Sequence, residues 1–388
     1  MAKCPWGLIT RWAWVTKNEP LLRDERNEPY EDKKCQKYLE SLGVFMGADK
    51  IGISKESAAD VEKLLEKKCK LPGWGGGKFS KSHFADTCEK LVDEDDDAIR
   101  DILGELIVPG MKRDIGDLSH LGFPNFGVTQ EGETWGDAVP IDSSKDKRLP
   151  IPQPDFSVGY KKRVFSDAQY TKLTAALGRE DQTSPARVTS EGIHFPFLTA
   201  EINNKDLRIA ELASTHSMAV AVRGVVELFK LTSREKELNG QILAFSVNYT
   251  ESHVTIYGHY PVINGENVRY YRHLIKEFDF QADDGKERWT AYRFVNAVYS
   301  DWAPEHQKRI CWVLGQLVVD DEAINSVERR KAIHKFRKII RKNPSKGMMG
   351  HLERTLIENV LAKKAGQKPV DRKKVDNGGV RKKKVTKK

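Results

Sequence analysis

Residues 195–263 restrict the fold more than any other part of this sequence. "FPFLTAEI" (Phe195–Ile202) is a short, continuously apolar run of buried-strand type. Within a few residues it gives way to "LRIAELASTHSMAVAVRGVVELFKL", which reads as one long helix from Leu207 to about Leu231, with small residues over much of its surface. Two β-rich runs follow, "QILAFSVNY" and "HVTIYGHYPVI", separated only by Thr250-Glu251-Ser252, the spacing of a hairpin. A strand, a long helix and a strand pair in immediate succession require a sheet with helices packed on it. The expected class is therefore α/β (α+β).

The rest of the chain is read around that unit. "SKESAADVEKLLEKKCK" has a serine cap and an apolar stripe of Val61, Leu64 and Leu65, predicting a helix over 54–70. A second helical region is expected from Ala85 to Ile107, with the acidic patch "DEDDD" partway and Pro109-Gly110 ending it. Residues 111–150 are turn-rich and lack periodicity, "DFSVGY" (Asp155–Tyr160) alternates as a strand, and 161–194 reads as a polar insert. Helices are expected from Glu305 to about Leu317 and from Ser326 to Ile340, with a short one over 351–363. The organisation implied is an N-terminal helical and irregular extension (1–80), a core domain (81–325), a basic helical segment (326–362) and a disordered basic tail (363–388).

At 388 residues with 39% hydrophobic content the chain can bury a sizeable core. No apolar run approaches the roughly 20 residues of a membrane span, and the first residues resemble neither a signal peptide nor an anchor. Five widely spaced cysteines without CxxC pairs favour a reducing compartment, nucleus or cytoplasm, over a disulfide framework. The net charge of +9 is local: residues 361–388 carry a net +10, leaving −1 for all the rest. Clusters such as "RKKK" (Arg381, Lys382, Lys383, Lys384) suit nuclear import or a phosphate-contacting arm.

Among chemistry-bearing motifs, "GWGGGKFS" fails as a phosphate loop. Gly73 and Gly77 are one residue too close, and Phe79 stands where a hydroxyl is needed. The ten histidines show no paired metal-ligand spacing, and Cys311 reads as a core thiol. What remains is a pair of carboxylates: Asp155 at the start of one apolar strand and Glu201 near the end of the next, with Asn203 two residues on and on the same face. Carboxylates on adjacent strand ends can hold a hard cation for phosphodiester hydrolysis. The bland alternative is that both merely finish strands and face solvent.

The succession "PDFSVGY", "FPFLTAEIN", helix and hairpin resembles the PD-(D/E)XK nuclease-like domain of a large group of fungal proteins, in a downstream aromatic region ending in "WAP" as well. The similarity spans about residues 85–320. It implies a restriction-endonuclease-like core, a mixed central sheet flanked by helices, with Asp155 and Glu201 as ligands of Mg²⁺, an upstream helical acid for which Glu105 is the candidate, and DNA as partner. The family's lysine is Asn203 here, which brings no positive charge. Lys205 or Arg223 would have to replace it; otherwise the site is a degenerate one, in a nuclear nucleic-acid-binding or protein-interaction module.

Overall fold

In the computed structural model the described residues are 23–320, apart from 73–78, 112–115, 131–132, 143–148, 179–182 and 190–191, together with residues 322, 324 and 327. The glycine loop and nearly all of the expected basic segment lie outside them, as does the whole tail with Arg381, Lys382, Lys383 and Lys384. Contacts divide the chain into a unit Met1–Leu317 and a unit Val318–Lys388. The description below concerns the first.

In chain order its helices and strands are α1 (Arg23–Glu31), α2 (Cys35–Ser41), α3 (Lys55–Glu66), α4 (Phe84–Glu89), α5 (Asp96–Ile107), β1 (Asp117–Leu118), β2 (Phe123–Gln130), β3 (Phe156–Lys161), α6 (Asp167–Leu177), β4 (Ile193–Ile202), α7 (Leu207–Lys230), β5 (Ala244–Tyr249), β6 (His253–Asn264), β7 (Asn267–Asp279), α8 (Thr290–Ala297) and α9 (Ala303–Gln316). The strands form one seven-stranded sheet in sequence order. Every neighbouring pair is antiparallel except β4 and β5, which run parallel because α7 carries the chain back between them. The mixed sheet flanked by helices is thus as expected.

Several local expectations need correction. Residues 111–150 contain the strand β2, whose "FPNFGVTQ" is broken by Pro124 and Gly127 and so hides its alternation. β7, thirteen residues long, escapes notice because charged residues interrupt its apolar pattern on an edge strand. The helical region from Ala85 is two helices: Asp95 starts α5 by accepting the Ala98 N–H at 2.8 Å, so "DEDDD" is largely a helix beginning. The insert 161–194 contains α6, opened by a capping box of Ser166 and Gln169.

α7 lies across β4, β5 and β6, and its small residues allow close approach. At Gly224 an added Cβ would sit 2.1 Å from the carbonyl oxygen of Pro185. Gly224→Ala is therefore expected to cost about 1–3 kcal/mol by overpacking, read as a lower midpoint in urea at unchanged slope. The opposite sheet face is aromatic. Phe197 and Phe245 pack on Trp302, Phe245 meets Phe294, and the Tyr160 hydroxyl donates to the Ala303 carbonyl at 2.7 Å. The "WAP" sequence is accordingly a core element, with Trp302 stacked 4.6 Å from His306.

The face beneath α7 is polar. Thr129, Ser157, Thr199 and Ser246 occupy one cross-strand row, all fully buried, and Ser246 bonds to His259 at 2.9 Å. Glu211 of α7 accepts from Thr255 and Tyr257 and pairs with Arg272 at 2.9 Å. Arg272 also donates to the Met46 carbonyl, fastening the segment after α2 to the sheet. Helices α1 to α3, from the expected N-terminal extension, belong to this same unit.

Candidate active site

Phe156 pairs with Ala200, so Asp155 lies opposite Glu201 on the adjoining antiparallel strand. The two are tied reciprocally. The Asp155 N–H donates to Glu201 Oε2 at 3.3 Å, and the Ile202 N–H donates to Asp155 Oδ2 at 2.8 Å. Each carboxylate is thus held by the backbone of the other strand, the charge-assisted arrangement that makes burying an acid tolerable. Both are buried, at 2% and 5% exposure, and neither finishes a strand in solvent.

Asn203 stands just past the end of β4, and the next residues build the start of α7. Its Oδ1 accepts the Asp206 N–H at 2.8 Å. Asn204 donates its N–H to Asp96 at 2.7 Å and accepts the Glu251 N–H at 3.1 Å, while Asp206 caps α7 through the Arg208 N–H. The expectation that Asn203 continues the strand beside Glu201 is therefore corrected. Its amide oxygen shapes a turn. Lys205 is exposed in that turn.

The two other sequence candidates are also placed elsewhere. Arg223 donates to the carbonyls of Val139 and Pro140, bracing that segment against α7. Glu105 accepts the Gly110 N–H at 3.3 Å and acts electrostatically on Tyr292 and Tyr299, so it belongs to the aromatic side of the sheet. Among the described residues no group of three or more His, Cys, Asp or Glu side chains is arranged to hold a metal ion, so Glu105 does not complete a triad with the pair.

What does meet Glu201 comes largely from elsewhere in the chain. It lines a narrow cleft, about 260 Å³ including its mouth, with Asn27 and Tyr30 of α1, Gln153, and Ala213 and Ser217 of α7. The Tyr30 hydroxyl is 3.0 Å from Nδ1 of the buried His216. Burial first, then the Arg223 charge, push the His216 pKa down to about 3, so the imidazole is neutral in this fold. Asn248, in register with Glu201 on β5, is fully buried, and its Oδ1 has no hydrogen-bond partner among the described residues. Gln153 was within reach of sequence reasoning, two positions before Asp155. Asn27 and Tyr30 carried no such signal, because only tertiary packing brings α1 to β4.

A family model described as a domain of unknown function (DUF7924) matches residues 83–314, more than half of the chain. The chain belongs to that family. The DUF7924 region contains the whole sheet from β1 to β7 together with α7, hence Asp155, Glu201 and Asn248, whereas α1 lies before it. No curated protein and no solved structure matches the chain.

In donor chemistry the pair suits a hard divalent cation. Two carboxylates are what Mg²⁺ commonly takes from a protein alongside waters, and the orphaned Asn248 oxygen is a neighbouring donor of the same hard type. No helix among the described residues is long and apolar enough to cross a membrane.

Proposed function

We propose that the chain is a nuclease-like, DNA-binding protein of restriction-endonuclease-like architecture, in which Asp155 and Glu201 hold Mg²⁺ for phosphodiester hydrolysis. The observation that carries this reading is the reciprocal bonding of two buried carboxylates across adjacent strands. The element order supports it: helix α5, antiparallel β2, β3 and β4, helix α7, then β5 parallel to β4.

When bound, a divalent cation supplies a water of lowered pKa and neutralises charge building on the phosphate. The chain's own part is to hold the donors still. Asp155 and Glu201 are fixed by strand backbone, and Ser217 and Tyr30 bound the space in front of Glu201. The basic tail is the proposed non-specific DNA contact, working by charge alone.

A second reading is favoured by one specific observation: Asn203, at the position where the nuclease resemblance implies a lysine, spends its side chain on the turn into α7. On that reading the protein is a catalytically degenerate nuclear module that binds nucleic acid or protein. Plasmid nicking with Mg²⁺ or Mn²⁺ separates the two. Asp155→Ala and Glu201→Ala are each expected to lower the cleavage rate by about 10²–10³-fold, the usual size of an electrostatic contribution to catalysis. Equal rates for the unaltered protein and the double variant would leave only the binding module.

A further inference from the structure

We infer that Asn248 is a third protein donor to the cation held by Asp155 and Glu201, and that Thr255 and Glu211 fix its amide for that role. The inference rests on the proposed metal site and adds to it a residue of β5. Asn248 is in register with Glu201 on the parallel neighbour of β4. The two side chains therefore leave the sheet on the same face, about one strand spacing, roughly 4.8 Å, apart. That face is the one under α7. Glu201 lies in the cleft with Ala213 and Ser217 of this helix, and Asn248 is joined to Glu211 of the same helix through Thr255.

Thr255 stands opposite Asn248 on β6. Its one hydroxyl proton goes to Glu211 Oε1 at 3.2 Å, which leaves its oxygen to accept from Asn248 Nδ2 at 3.4 Å. Glu211 is fixed in turn by the Tyr257 hydroxyl and the Arg272 guanidinium, each at 2.9 Å. This series of bonds decides which way round the amide lies: nitrogen toward β6, oxygen turned away from it, on the side of β4. There Oδ1 meets no hydrogen-bond donor among the described residues, although Asn248 is fully buried. An unmet buried acceptor ordinarily costs about 1–3 kcal/mol. The in-register neighbour on that side is Glu201, an acceptor itself when ionised. A hard cation satisfies both oxygens at once, since carboxylates and amide carbonyls are its usual protein donors. A bridging water is the other occupant that would satisfy them, and the test separates the two.

The test uses the full chain and Mn²⁺ alone as probe, without nucleic acid, binding being followed by loss of the free-ion electron paramagnetic resonance signal. Asn248→Leu, similar in size but without the oxygen, is expected to weaken Mn²⁺ binding about tenfold or more. Asn248→Asp keeps the donor and adds charge, so it should tighten binding. Thr255→Val should weaken binding about tenfold, as loss of an outer-shell partner does, and Thr255→Ser should restore it, which a packing defect alone would not allow. Should Asn248→Leu fail to fold, Asn248→Asp and the two Thr255 variants still decide. Affinity unchanged by the Asn248 variants but lost in Asp155→Ala and Glu201→Ala would overturn the third donor, leave Asn248 to a water, and keep the two-carboxylate site. No binding by the unaltered protein, or binding that survives Asp155→Ala and Glu201→Ala, would overturn the inference and the metal site together. Binding that needs all three side chains in a protein that nicks no plasmid would uphold the inference while the hydrolytic reading falls.

Discussion

Arg272→Ala is expected to destabilise the fold by about 3–5 kcal/mol, the scale seen when one partner of a buried ion pair is removed. Arg272 and Glu211 have side-chain exposures of 7% and 14% and meet at 2.9 Å. The guanidinium lies 3.9 Å from the Tyr257 ring centre and donates to the Met46 carbonyl. Without it, Glu211 keeps the hydroxyls of Thr255 and Tyr257 as donors, and the segment after α2 is left with its backbone bonds to β7. The double replacement Glu211→Met with Arg272→Leu should cost far less than the two single changes added together, because no charge is then left buried alone. Urea denaturation of the three variants measures this. A loss under about 1 kcal/mol for Arg272→Ala would mean that the pair contributes no more than a surface salt bridge.

Acid should unfold this protein well before its carboxylates are protonated. Burial is the leading cause that lowers the pKa of His216 and His259 to about 3 and of His194 to about 4, against an ordinary value of 6.5. A histidine whose folded pKa is depressed binds its proton more readily when unfolded. The stability it contributes is complete above pH 6.5 and is lost as pH falls toward the folded value. At pH 5 each of the three forfeits about 2 kcal/mol, or roughly 6 kcal/mol together, comparable with the whole stability of many domains. The urea midpoint should therefore fall steeply between pH 6.5 and 5. His259→Gln, which can keep a hydrogen bond to Ser246, should recover about a third of that loss. A midpoint constant from pH 7 to 5, or imidazole resonances titrating near 6.5, would defeat this account.

Legibility in the sequence followed the range of the interactions involved. The hairpin of β5 and β6, the length of α7 and the buried character of β4 were readable because apolar periodicity is local and survives in the sequence. β2 and β7 were not. Pro124 and Gly127 interrupt the first, and the second is an edge strand, where one face need not be apolar. The acidic patch before α5 looked like a charge feature. Asp95 is instead a helix cap, and Asp96 anchors Asn204 across 108 positions of sequence.

At the site the same division holds. Sequence alone determined that Asp155 begins one apolar strand and Glu201 closes the next, since strand ends and alternation are written in neighbouring residues. Tertiary structure decided everything that depends on distant partners. The register sets Asp155 opposite Glu201, a turn takes the Asn203 side chain, two carbonyls of the 139–140 segment capture Arg223, and a helix from the start of the chain lies against the cleft. Hydrogen-bond donors and acceptors have no periodicity of their own. Which of them meet is settled by the packing of apolar faces, and polar side chains then take the partners that packing leaves within reach.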